Sequence, residues 1–138
     1  MIAKTVRVAM LIEKADRILH SMYEDVEAIK IRCLASKSPR RDPAVRVKLW
    51  RIRERLQDSM SKLSTMLRPT KAYDGLLLPT AVFSLVEAIE DSASLEKIER
   101  LATLAQIDLQ KSHRRILSTL AWQAYSTSPP PGPKEERP

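Results

Sequence analysis

The sequence predicts an all-α fold: a long antiparallel helical hairpin, a shorter helix, a long C-terminal helix and an extended proline-rich tail. Three observations lead there. Apolar residues recur at steps of three and four over long stretches, the period of a helix that buries one face. Two glycines in 138 residues, Gly75 and Gly132, leave few of the tight turns that hairpins of strands require. Leu, Ile, Ala, Arg and Glu are abundant, whereas aromatics stop at two Trp, three Tyr and one Phe, a balance that favours helix over sheet. A hydrophobic content of 43% in a chain of this length predicts one domain with a normal core.

The first helix is read from Val8, Ile12, Ala15, Leu19, Met22, Val26, Ile29 and Cys33, which alternate steps of four and three. Drawn from Ala3 to Ala35 it reaches about 50 Å at 1.5 Å per residue, which predicts an elongated molecule or one that embraces a partner. Ser36-Lys37-Ser38-Pro39-Arg40-Arg41-Asp42-Pro43 ends it, because the residue before each proline is pushed out of the α region. Asp42 then serves as N-cap with Pro43 at the first helical position. The second helix carries Val45, Leu49, Ile52, Leu56, Met60, Leu63 and Leu67 on its seam and is expected to run to Arg68, before Pro69. Helices one and two thus make a basic hairpin, residues 1–69, which faces the partner.

Residues 70–79 form a connector, with Tyr73-Asp74-Gly75 as its turn and Leu76-Leu77-Leu78 to be buried. A third helix is expected from Thr80 to about Asp91, turning Val82, Phe83, Val86 and Ile89 inward. Asp91-Ser92-Ala93-Ser94 supplies capping oxygens for the next start. The fourth helix, Leu95 to Ala124, shows Leu101, Leu104 and Ile107 beside Ile98, Ala102, Ala105 and Leu109, and is expected to be the most buried. Residues 80–125 are therefore read as subunit-packing helices. Residues 126–138 are a polar, proline-rich tail biased toward polyproline conformation.

Charge is the informative feature. The formal net charge is +7, and it is uneven: residues 1–79 hold seventeen Lys/Arg against nine Asp/Glu, residues 80–138 seven against eight. Between Lys37 and Arg55 lie Lys37, Arg40, Arg41, Arg46, Lys48, Arg51, Arg53 and Arg55, opposed by Asp42 and Glu54. Such a one-signed surface attracts phosphate or anionic lipid over roughly a Debye length, ~8–10 Å at physiological salt. Lys48, Arg51, Arg55 and Lys62 fall on one stripe of the second helix, Arg46 and Arg53 beside the seam's other edge, and the first helix adds Arg7, Lys14 and Arg17. The bland reading is a solvated face with local ion pairs, Asp58 to Lys62 or Glu54 to a neighbouring arginine. Six charges left over in the stretch from 37 to 55 argue instead for an external anion. Trp50 projects off the seam and is either a subunit or base contact or a residue buried against another helix.

Chemistry of other kinds is not signalled. Cys33 is the one cysteine, which excludes an intramolecular disulfide and a thiolate cluster and fits an intracellular site of assembly. His20 reads as a surface histidine near Arg17 and Glu24, and His113 as an addition to Arg114 and Arg115; neither lies in a metal or nucleophile motif. Acid pairs such as Glu24/Asp25 are adjacent in sequence and diverge by about 100° on a helix. Glycine loops for a nucleotide are absent. The expectation is no enzyme, no metal and no cofactor. The apolar run from Val8 to Ile12 is too short for a secretion signal, and no run approaches the ~20 residues of a membrane span. Asn is missing altogether, as a thermophilic source predicts, although sampling in a short Arg/Lys-rich chain gives the same result. Sequence-specific base reading is disfavoured by the lack of Asn and of a compact helix-turn-helix, and stacking on single strands by the scattered aromatics.

A small basic all-α chain with long helices, few chemically active residues, a thermophile-like composition and a proline-rich tail resembles the coat proteins of filamentous and rod-shaped archaeal viruses, the rudivirus, lipothrixvirus and tristromavirus group. The resemblance is architectural. It implies a structural nucleocapsid protein that wraps double-stranded DNA, held in the A form, and polymerises with itself or a paralogous coat protein into a helical filament. It further implies a virion location after assembly in the host cytoplasm, with envelope lipid outside the filament in enveloped members. On this chain it makes Arg40, Arg41, Arg46, Lys48, Arg51, Arg53, Arg55 and Lys62 phosphate contacts, while the later helices and the tail join subunits.

Two other partners are compatible with the same hairpin. One is anionic membrane, on which a basic scaffold polymerises, each surface Lys/Arg adding about 1 kcal/mol. The other is an RNA-guided ribonucleoprotein complex, with the chain as a small helical subunit. An adaptor whose basic face meets an acidic protein is the plainest alternative.

Overall fold

The computed structural model describes residues 2–35, 43–69 and 79–127. It is all-α. Among the described residues there are four helices: α1 (Ile2–Ala35), α2 (Pro43–Leu67), α3 (Thr80–Glu90) and α4 (Leu95–Thr127). The basic tip between α1 and α2, the Leu76–Leu78 connector and the tail beyond Thr127 lie outside the described residues.

Each helix packs on two neighbours. α1 lies on α2 and, more extensively, on α4, while α3 bridges α4 and α2. The contacts Glu27–Gln106, Tyr23–Gln110 and Asp16–His113 step down α1 as they step up α4, so these two run antiparallel. Cys33 near Arg46 and Asp25 bonded to Arg55 show the same sense for α1 and α2. The result is an up-and-down bundle whose hairpin halves share one core. That core takes Ala15, Leu19, Met22, Val26, Ile29 and Cys33 from α1 and Leu49, Ile52, Leu56, Met60, Leu63 and Leu67 from α2. α3 and α4 contribute Val82, Leu85, Val86, Ile89, Leu95, Ile98, Ala102, Ala105, Leu109, Ile116 and Leu120.

Two expectations about burial are corrected. Phe83 does not turn inward; it is 52% exposed on the side of α3 that faces α2's outer edge. On α4, expected to be the most buried helix, the second apolar line is open, with Leu104 and Ile107 55% and 48% exposed. Both differences have one cause: a bundle neighbour covers only the stripe it touches, and Phe83, Leu104 and Ile107 lie on faces off that stripe.

The α3–α4 corner is closed by backbone geometry. Ser92 takes φ 52°, and the bonds Ala93 N–H to Ala88 O (2.9 Å) and Ser92 N–H to Ile89 O (3.1 Å) form a Schellman pair. Ser94 Oγ then accepts from Lys97 N (3.1 Å) as the N-cap of α4. At the other end of α3 the cap comes from a different helix. Pro79 has no side-chain acceptor, and the carboxylate of Asp108 on α4 takes the bond from Ala81 N at 2.9 Å. A negative group at that position also suits the positive end of the helix dipole.

Candidate polyanion-binding surface

The twelve basic residues singled out from the sequence separate into four groups. Lys37, Arg40 and Arg41 lie outside the described residues. Arg46 and Arg53 turn into the bundle. Arg17, Arg55 and Lys62 carry acidic partners but stay open to water. Arg7, Lys14, Lys48 and Arg51 are exposed with no carboxylate in ion-pair contact among the described residues.

Arg53 is a correction. Only 7% of it is exposed, and its Nη1 bonds Glu90 Oε2 on α3 at 2.5 Å and Gln57 Oε1 at 2.7 Å. The guanidinium carbon also sits 4.0 Å from the centre of the Trp50 ring. Arg53 is therefore a strut between α2 and α3, turned away from the exposed basic stripe of α2. Trp50 is half exposed, with one face spent on that cation. Arg46 is half-buried and donates from Nη1 to the carbonyl of Ala93 at 2.7 Å, so it ties α2 to the α3–α4 corner. The charge surplus counted along residues 37–55 is smaller in space because Asp25 and Glu90, far away in sequence, supply the missing acids.

Arg55 bonds Asp25 at 3.2 Å, with side-chain exposures of 59% and 12%. Burial pushes the Asp25 carboxyl above its ordinary value, and Arg55 acts against that shift. The Arg17–Glu13 and Lys62–Asp58 pairs, each 3.0 Å long and about two-thirds exposed, are surface i,i+4 pairs that give way easily to a polyanion. The i,i+4 pair read from the sequence at Asp58 and Lys62 is thus present. Glu54 makes no ion pair among the described residues.

The register makes a surface of the survivors. Arg7, Lys14, Asp25 and Arg32 are spaced by seven, eleven and seven residues, so they stay within about 20° of one line on α1. Lys48, Arg55 and Lys62 recur at seven on α2, with Arg51 one turn from both Lys48 and Arg55. The Asp25–Arg55 bond lays these two stripes side by side across the α1–α2 groove. Arg32, exposed and on the same line, belongs to this surface although charge counting around the tip passes over it. Its signal was the spacing from Lys14 and Asp25. Along α1 the stripe from Arg7 to Arg32 runs about 37 Å at 1.5 Å per residue.

Of the two histidines, one departs from its sequence reading. His113 Nε2 lies 2.7 Å from Asp16 Oδ1 and joins α4 to α1, instead of extending the Arg114–Arg115 cluster. His20 is exposed beside Glu24 at 3.6 Å, as read. Both histidines line one shallow α1–α4 groove of about 260 Å³ with Tyr23 and Gln110. No group of three or more His, Cys, Asp or Glu side chains that could hold a metal ion occurs among the described residues. No helix among them is long and apolar enough to cross a membrane.

The chain matches no protein-family model, no curated protein and no solved structure.

Proposed function

We propose that this protein is a structural, non-catalytic coat that binds double-stranded DNA through its phosphate backbone, without sequence preference, and assembles along it as a helical nucleocapsid. The observation that carries the reading is the pair of basic stripes on α1 and α2, with Asp25 set between them and Asp58 paired to Lys62 at the end of the α2 stripe. Arg7, Lys14, Arg32, Lys48 and Arg51 present cations on a rigid support over a length comparable to one turn of a duplex, roughly 34 Å. Rigid, linearly spaced cations release counterions from a regular polyanion without needing base-edge contacts.

Salt dependence is the test. Neutralising each phosphate contact changes the slope of log K against log salt by about 0.9 for duplex DNA. The double variant Lys48→Gln/Arg51→Gln is expected to flatten the slope by about 1.8, and Arg53→Met to leave it unchanged. An unaltered slope in the double variant takes the α1–α2 face out of the interface. Sedimentation with anionic vesicles, combined with failure to protect duplex DNA from nuclease at the same salt, replaces the coat reading with the membrane-scaffold one.

A further inference from the structure

The bundle has two further exposed faces whose charges are opposite, and neither is used by the basic α1–α2 surface. The first lies along α2 and α3. On α2 the outer line Val47, Trp50, Glu54 and Ser61 flanks α3, which carries Phe83, Glu87 and Glu90 on one side. Val47, Trp50 and Phe83 are 50%, 43% and 52% exposed, and an open groove of about 330 Å³ runs between the helices below Phe83. Residues 79–96 contain Glu87, Glu90, Asp91 and Glu96 and no Lys or Arg. Glu90 is engaged by Arg53, whereas Glu54, Glu87, Asp91 and Glu96 are exposed with no cationic partner among the described residues.

The second face is the outer line of α4. Leu104, Ile107, Lys111, Arg114 and Ser118 follow one another at steps of three and four, with Arg115 at its edge. Leu104 and Ile107 are about half exposed, and Lys111, Arg114 and Arg115 are exposed without an acidic partner among the described residues. From Leu109 to Thr127 the chain has no Asp or Glu at all. The same molecule therefore displays an acidic–apolar face and a basic–apolar face, both mounted on rigid helices.

We propose that these two faces are partners, so that the α2–α3 face of one copy docks on the α4 line of a second copy. Glu54, Glu87 and Asp91 meet Lys111, Arg114 and Arg115, and the exposed apolar side chains on both sides lose their contact with water. Because the two patches are different surfaces of one chain, the contact is heterologous. It propagates into a ring or an open helix instead of stopping at a two-fold dimer. Of the α1–α2 stripes only Arg51, one turn from Val47 and Glu54, borders this contact, and the others remain available along one side of the growing assembly. The inference rests on the coat reading only for its purpose, since it specifies the assembling surfaces and not the polyanion.

The experiment uses the full chain in two charge-reversed forms, Glu87→Lys/Asp91→Lys and Lys111→Glu/Arg114→Glu. Sedimentation velocity is run at low and high salt, with circular dichroism confirming equal helix content. The unmodified chain is expected to form species that grow with concentration at low salt and dissolve at high salt. Each variant alone is expected to stay monomeric, and an equimolar mixture to regain assembly, because reversed charges again face opposite partners. A monomeric unmodified chain at every concentration, or variants that assemble as it does, overturns the proposal. Duplex binding is measured in parallel on the same samples. Its loss from the unmodified chain with assembly intact refutes the DNA reading and leaves this one standing.

Discussion

Arg53 of α2 and Glu90 of α3 are joined by an ion pair of 2.5 Å, in which the guanidinium side chain is 9% exposed and the carboxylate 39%. The sequence places these residues 37 positions apart, and the pair converts an arginine that looked like a phosphate ligand into the main polar link between α2 and α3. It is not a fully satisfied link, since the buried Nε of Arg53 has no hydrogen-bond partner.

Removing only the acid leaves a desolvated guanidinium behind. Glu90→Ala is expected to cost about 3 kcal/mol, near the lower end for a broken buried pair because Glu90 is partly open to water. Replacing both partners, Arg53→Met with Glu90→Leu, is expected to return stability to within about 1 kcal/mol of the original or above it. Urea unfolding of the three chains checks this. A Glu90→Ala variant as stable as the parent would show that the pair holds nothing together.

Ser92 supplies the left-handed residue at the end of α3, with φ 52° and both Schellman bonds in place. A Cβ in that region carries a steric cost that glycine avoids. Ser92→Gly is expected to stabilise the bundle by about 1 kcal/mol and to raise the thermal midpoint by about 3–5 °C. Ser92→Val is expected to lower it. A glycine variant that melts below the parent contradicts this account of the corner.

Cys33 is buried where α1 meets α2, and burial pushes its thiol from the ordinary 9.0 up to about 11, with Arg46 opposing the shift. The folded state therefore favours the protonated thiol. The stability it contributes is fully present below the ordinary thiol value and is lost as pH rises through about 11. The parent is expected to lose stability relative to Cys33→Ala across that alkaline window and not below it. At neutral pH alkylation of Cys33 is expected to be slow and to accelerate with urea in step with global unfolding. Rapid alkylation of the native chain would place the thiol at the surface.

The helical seams were legible because burial imposes a period that one strand of sequence displays. Leu49, Ile52, Leu56, Met60, Leu63 and Leu67 were read at steps of three and four and are all buried. Phe83, Leu104 and Ile107 are exposed despite their apolar spacing, because a second apolar line records that a face is apolar without recording whether a neighbour reaches it. The basic surface was half legible. Lys48 and Arg51 remain open to solvent, whereas Arg46 and Arg53 turn inward, and all four look alike in a charge count. Arg32 shares the period of Lys14 and Asp25, a regularity that charge displays along α1 as apolar residues do.

The sequence by itself determined the all-α class, the inward lines of α1 and α2 and the surplus of positive charge, since each is a local or compositional property that does not depend on which helices meet. The tertiary structure alone decided which cations are free. Asp25 reaches Arg55 across 30 positions and Glu90 reaches Arg53 across 37, and the energy of a charge is set by what lies within a few ångströms in space, not by what lies beside it along the chain.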